Sequence, residues 1–209
     1  MKKELDKDLK DNEHAFGDPG IPPRWTSSSK SGIGKSINAA SDVAFTLSHG
    51  IVNEVFFPRE DIACIRDIEF LVTDGKKFIS EEKKDTDHEI KWMEEGVPAF
   101  HILNTCKKNK YSIEKEIITD PIRNTLLQQI IFKPTDEVSN LSLYVVLYPH
   151  IYNKGYENTG WKGEYKGIRI LFAQRHGITL AFACSSAFLK SSVGYVGTSD
   201  GFTDLIKHN

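Results

Sequence analysis

The sequence predicts an all-β protein, a large antiparallel two-sheet β-sandwich, and three observations carry that expectation. Short β-branched and aromatic runs recur along the chain, bounded by turn signals such as Asp74-Gly75 and His176-Gly177. No segment holds the 3.6-residue apolar period of a helix across a window of about eleven residues. With 209 residues, 39% hydrophobic and 11% aromatic, the chain can fill a sizeable core. A domain of that size buries roughly 70% of the surface its unfolded chain exposes.

The elements follow in order. Residues 1–15 are charged and carry little to bury, which predicts a flexible tail before a single domain over 16–209. From Phe16 to Asn38, Pro19, Pro22 and Pro23 and a serine-rich stretch predict irregular chain. Strands are expected over Val43–Leu47 and Ile51–Phe57, split by Ser48-His49-Gly50. Ile68–Val72 runs into Thr73-Asp74-Gly75-Lys76, and Asp-Gly favours a tight hairpin turn. Phe100–Cys106 and Tyr111–Ile118 flank Lys107–Lys110 as a second hairpin. Leu126–Phe132 alternates into a break at Pro134, and Leu141–Tyr148 follows. Gly167–Ala173 and Ile178–Cys184 pair across Arg175-His176-Gly177. Trp92 alternates like a core strand residue.

Charge and composition narrow the functional classes. The net charge of −2, without a basic surplus, argues against nucleic-acid and anionic-membrane partners. No apolar run approaches the length of a spanning helix. The start, MKKELDKDLKDNEH, has no apolar stretch after its lysines, so it does not read as a secretory signal and a cytoplasmic location is expected. Cys64, Cys106 and Cys184 lack metal or redox spacing and read as buried free thiols.

Few motifs point to chemistry. Gly32-Ile33-Gly34-Lys35-Ser36 imitates part of a phosphate loop, but Ser29 stands where the motif needs its first glycine. Neither the preceding strand nor the following helix is present in the pattern, so the segment is expected to be a turn. Glu81, Glu82, Asp85, Asp87 and Glu89 form the densest acidic cluster, interrupted by lysines, and read as a solvated face. The histidines stand without ligand spacing, and His49 and His150 are expected to make local hydrogen bonds. No metal or cofactor is expected. Two aromatic segments remain. Tyr152, Tyr156 and Trp161 sit in a long glycine-bearing polar stretch, suited to rim packing, sugar stacking or contact with a partner domain. Trp25 beside Arg24, in proline-fixed chain, suits an interface anchor or packing over the end of the sandwich.

From about Ala15 onward the chain resembles a known family. The stretches that carry the likeness are GDPGIPPRWTSSSKSGIGKS (Gly17–Ser36) and FTLSHGIVNEVFFPREDIACIRDIEFLVTDG (Phe45–Gly75). It continues through SEEKKDTDHEI, EGVPAFHILNTC, YSIEKEIITDP, YKGIRILFAQ and GYVGTSDGFTDL. These resemble the amino-terminal β-domain of bacterial and archaeal glucoamylases and glucodextranases of glycoside hydrolase family 15. The resemblance implies a galactose-mutarotase-like supersandwich that is non-catalytic and packs against a catalytic (α/α)6 barrel, in cis or in trans. No residue maps onto the barrel's acid or base. Arg24, Trp25, Ser27 and Lys30 are the expected docking residues. Family domains run on past the GYVGTSDGFTDL segment, which implies either a sandwich lacking its last strands, with an unpaired sheet edge open to self-association or partner pairing, or one completed by another chain. Two other readings stand beside the docking one: a free-standing α-glucan-binding module using the aromatic residues Tyr152, Tyr156 and Trp161, and, because related large sandwiches include aldose mutarotases, a mutarotase-like enzyme for which the sequence assigns no His–carboxylate pair.

Overall fold

A computed structural model describes residues 9–136 and 140–208, with side chains from His14 onward. Among these residues fourteen strands form three sheets, and every strand pair of known register is antiparallel. The chain divides into two units, one continuous over Trp25–Tyr148 and one built from residues up to Arg24 together with Pro149–His208.

The continuous unit holds two sheets. One has the order β11 (Ser142–Pro149), β5 (Ala63–Thr73), β4 (Ile51–Phe56), β3 (Ala44–Ser48) and β2 (Gly32–Lys35), with the short β6 (Ile79–Glu81) also on β5. The other has the order β10 (Leu126–Pro134), β9 (Tyr111–Thr119), β8 (Phe100–Cys106) and β7 (Thr86–Trp92). Their inner faces share one core. Phe70 and Val72 of β5 pack with Phe78, with Cys106 of β8 and with Tyr111 and Ile113 of β9, and Leu143 and Val145 of β11 close the edge. Each such side chain, fully buried, contributes roughly 1.5–3 kcal/mol. Along β8 and β9 burial alternates residue by residue, as the sequence pattern requires of strands with one wet face.

The hairpins form where the turn residues put them. Asp74 accepts hydrogen bonds from the amides of Lys76, Lys77 and Phe78 at 2.9–3.0 Å, closing the β5–β6 turn. The two-residue loop His176-Gly177 joins β13 (Ile168–Arg175) to β14 (Ile178–Phe182) with both residues at positive φ, 46° and 79°. These two strands, with β12 (Thr159–Tyr165) and β1 (Leu9–His14), make the sheet of the second unit, ordered β1-β12-β13-β14.

Several expectations are corrected. Residues 9–14, read as tail, form strand β1 along β12, because an open strand edge offers backbone partners that a charged segment can take. Residues 1–8 lie outside the described residues. The glycine-rich Gly32–Lys35 is a strand on β3, not a turn. A Cβ on Gly32 would sit 2.9 Å from the Phe100 ring, and one on Gly34 would run into the Phe45 ring, so these glycines make room for aromatic rings. Strand β10 continues through Pro134, which a sheet-edge strand tolerates. Trp92 lies on edge strand β7 and is 57% exposed, packing edge-on against Phe100 at 6.1 Å. Cys64 and Cys106 are buried thiols, whereas Cys184 is exposed.

Helix enters twice among the described residues, as α1 (Glu82–Asp85) and α2 (Gly201–His208). Asp200 caps α2: its carboxylate accepts from the Thr203 amide at 2.9 Å, the Thr203 hydroxyl at 2.6 Å and the Gly197 amide at 2.7 Å. Asp200→Ala should cost about 1–2 kcal/mol, read as a lower denaturant midpoint, with Asp200→Asn recovering part of it. An unchanged midpoint in the alanine variant would remove the cap from the account.

Candidate functional site

Beside one His–carboxylate pair, three side-chain constellations bear on function, two of them within Trp25–Tyr148. The segment Trp25–Lys30 is fastened inward. Lys30 Nζ donates to the Ser27 carbonyl at 3.0 Å, pairs with Glu54 at 2.7 Å and donates to Asn53 Oδ1. Asn53, fully buried, in turn donates to Asp67 at 3.0 Å and to the Thr26 hydroxyl. Asp67 is also held by Arg66 at 2.8 Å, with Lys83 at 3.5 Å. Ser27 and Lys30 thus anchor the segment, and Arg24 and Trp25 are exposed, Trp25 to 51%. Beyond Asp67 on the same face of β5 stands Glu69, 3% exposed. Burial, reinforced by the negative charges of Glu81 and Asp67, pushes its carboxyl up to about 7, against the opposing pull of Lys83 and Arg66.

In the acidic run Asp85, Asp87 and Glu89 are exposed as expected, but Glu82 is buried and holds the second constellation. Glu82 opens α1 and is wholly buried, 2.7 Å from the equally buried ammonium of Lys115 on β9. Glu82 Oε1 also accepts from Asn104 Nδ2 at 2.5 Å, and Oε2 from the Phe70 amide at 3.0 Å. Lys115 and Asn104 both donate to the Gly50 carbonyl, at 2.6 and 2.9 Å. Burial draws the Lys115 ammonium below its ordinary range, and the Glu82 charge works against that shift. The pair is sealed from solvent, so its role is to join α1, β8, β9 and the β3–β4 turn. Sequence spacing gave no sign of it, since residues 82 and 115 meet only through sheet pairing.

A His–carboxylate pair does form, between neighbouring strands β8 and β9. His101 Nε2 lies 2.9 Å from Glu114 Oε1. Hydrogen bonds from Lys133 first, then His101, hold the Glu114 carboxyl below the usual carboxylate range. A carboxylate so stabilised is a weak base for moving a proton at an anomeric centre. His49 sits in its turn at φ 51° beside the Ser48 hydroxyl, a local contact of the kind expected. Among the described residues no group of three His, Cys, Asp or Glu is placed to hold a metal.

The third constellation lies in the unit containing β12–β14, and the aromatic residues predicted for it divide. Trp161 is not in a loop: it is a β12 residue stacked on Phe172 of β13 at 5.1 Å and 14°. Tyr152 and Tyr156 stand on the loop before β12, 48% and 45% exposed. Tyr152 meets the His176 ring edge-on at 5.8 Å, and the Arg175 guanidinium lies 5.7 Å from the Tyr156 ring.

The antiparallel sheets and their shared core define an all-β domain of β-sandwich type. Comparison with known proteins gives it a family. The family model described as glucodextranase, domain N, matches residues 15–209, and the chain belongs to that family. It is 35% identical over 195 residues to a glucoamylase of Clostridium sp. (strain G0005), a match covering 93% of this chain and 28% of that protein. The crystal structure of a bacterial glucoamylase complexed with acarbose superposes with a TM-score of 0.92 at 32% identity, over 96% of this chain and 30% of that one. The chain therefore spans less than a third of each of these relatives and corresponds to an amino-terminal glucoamylase-type domain.

Proposed function

We propose that this chain is the non-catalytic amino-terminal domain of a glucoamylase-like α-glucan hydrolase, packing against the catalytic (α/α)6 barrel and supporting its folding, in cis or in trans. One observation carries the reading: the likeness is strong over nearly the whole chain yet accounts for only 28–30% of each glucoamylase it matches. Glu82 and Glu114 agree with it, since Glu82 is locked in a sealed ion pair and Glu114 is held by Lys133 and His101. Neither resembles the pair of glycosidase carboxyls that must face a sugar from opposite sides, one protonated and one ionised.

Arg24 and Trp25 supply the docking anchor, with Ser27 and Lys30 fixing the backbone that presents it. Arginine and tryptophan are the residue types most enriched where binding energy concentrates. Co-expression of this chain with a separately encoded glucoamylase barrel should raise the barrel's soluble yield and glucose release from maltoheptaose. The Trp25→Ala variant should lose most of that gain while keeping its own melting temperature. Equal barrel yield and activity with and without this chain would overturn the reading.

A further inference from the structure

The loop between β11 and β12 is built as a platform. Asn158 holds it from inside: its Oδ1 accepts from the Ile151 amide at 3.1 Å and its Nδ2 donates to the Lys154 and Tyr156 carbonyls at 2.8 and 3.3 Å. Ile151 is fully buried, and a Cβ on Gly155 would strike both Pro23 and the His150 ring, so the loop is pressed tightly onto what lies under it. Tyr152, Asn153 and Glu157 are all held at positive φ, 58–61°, a conformation uncommon for such residues. The loop backbone that carries the two half-exposed tyrosines is thereby tied down from within.

Beside them opens a cleft of about 380 Å³ lined by Glu157, Thr159, Gln174, Arg175, His176 and Gly177. Its polar groups are only partly used. The Arg175 side chain is 8% exposed and spends its two terminal nitrogens on the Ile151 carbonyl at 3.4 Å and on Glu157 at 3.1 Å. Arg175 Nε is buried with no hydrogen-bond partner, an omission that ordinarily costs a buried donor about 1–3 kcal/mol. Gln174 donates to Thr179 at 3.1 Å, which leaves its carbonyl oxygen to accept. Arg175 and Glu157 pair and cancel in charge, which suits a neutral polar ligand, and Lys154 Nζ stands 5.4 Å from the Tyr156 ring as a further donor. Aromatic faces beside planar amide, carboxylate and guanidinium groups match one chemistry in particular. A pyranose has apolar C–H faces to stack and a rim of hydroxyls that both donate and accept.

We propose that the cleft between the Tyr152–Asn158 platform and the β13–β14 turn binds one pyranose unit of a neutral oligosaccharide. Tyr152 and Tyr156 act as stacking surfaces, and Gln174 and Glu157 meet the hydroxyls, with Arg175 holding Glu157 in place. The choice of α-glucan as that oligosaccharide rests on the function proposed above. Trp161, already stacked on Phe172, takes no part in the site.

The test is calorimetric titration of the full chain with maltoheptaose and with isomaltotriose, alongside sodium phosphate. Saturable binding of one glucan is expected, with none of phosphate. Tyr152→Ala and Gln174→Ala, both at exposed positions, should each weaken it about tenfold with unchanged circular dichroism. Trp161→Phe should bind as the parent does. Absence of saturable heat with both glucans, a response to phosphate alone, or parental affinity in both variants would overturn the proposal. Failure here with a positive barrel co-expression result would remove the sugar site and leave the docking function standing. The reverse pattern would remove the docking function alone.

Discussion

Replacing Lys115 with methionine should lower the unfolding free energy by about 3–5 kcal/mol, the cost of leaving a buried carboxylate without its counter-charge. Glu82 has no route to water: its side chain is fully buried, and its remaining partners, Asn104 and the Phe70 amide, do not carry a positive charge. The double variant Glu82→Gln with Lys115→Met should be markedly more stable than Lys115→Met alone. Glutamine removes the stranded charge and keeps one carbonyl oxygen, which can accept from either Asn104 or the Phe70 amide but not both, so the recovery is partial. Urea denaturation of the two variants and the parent measures both quantities. A loss under about 1 kcal/mol in the single variant, or no recovery in the double, would show that the pair does not hold these strands together.

The second large effect is a pH dependence centred on Glu69. Its folded carboxyl is raised from 4.5 to about 7, so between those values the native protein keeps a proton that the unfolded chain has released. The native state then binds more protons than the unfolded one, and stability must fall as pH rises through this window. The full loss is on the order of 3 kcal/mol, complete above pH 7. Glu69→Gln cannot ionise and should escape that loss, becoming more stable than the parent at pH 8 relative to their difference at pH 4.5. Parallel stability profiles for the two proteins would mean that folding does not raise the Glu69 carboxyl.

The class of fold was legible because it is written locally. Turn chemistry at Asp74-Gly75 and His176-Gly177 and alternation in Phe100–Cys106 and Tyr111–Thr119 require no knowledge of distant residues. What was illegible depended on partners far along the chain. The charged β1 became a strand through β12, and the glycines of β2 are explained by rings on β3 and β8. Glu82, embedded in a run of charges, is buried because Lys115 arrives from β9. Helix α2 escaped notice because eight residues are too few to establish a period, although Asp200 followed by Thr203 was a readable cap. Of the aromatic residues singled out, the two tyrosines stand on the expected loop. Trp161 was displaced into a strand because its loop ends at Thr159.

The unit assembled from both chain ends sets an order of events during synthesis. Leu9 lies opposite Tyr165, and the Phe16 carbonyl is bound by Ser199 across 183 residues of sequence. Trp25–Tyr148 has every strand partner it needs as soon as it has left the ribosome, whereas β1 must wait for β12 before it has anything to pair with. Contacts of such long range are slow to form, because closing the intervening chain costs entropy before any contact repays it. The continuous unit is therefore expected to mature first, with the other closing once β12 is available to β1.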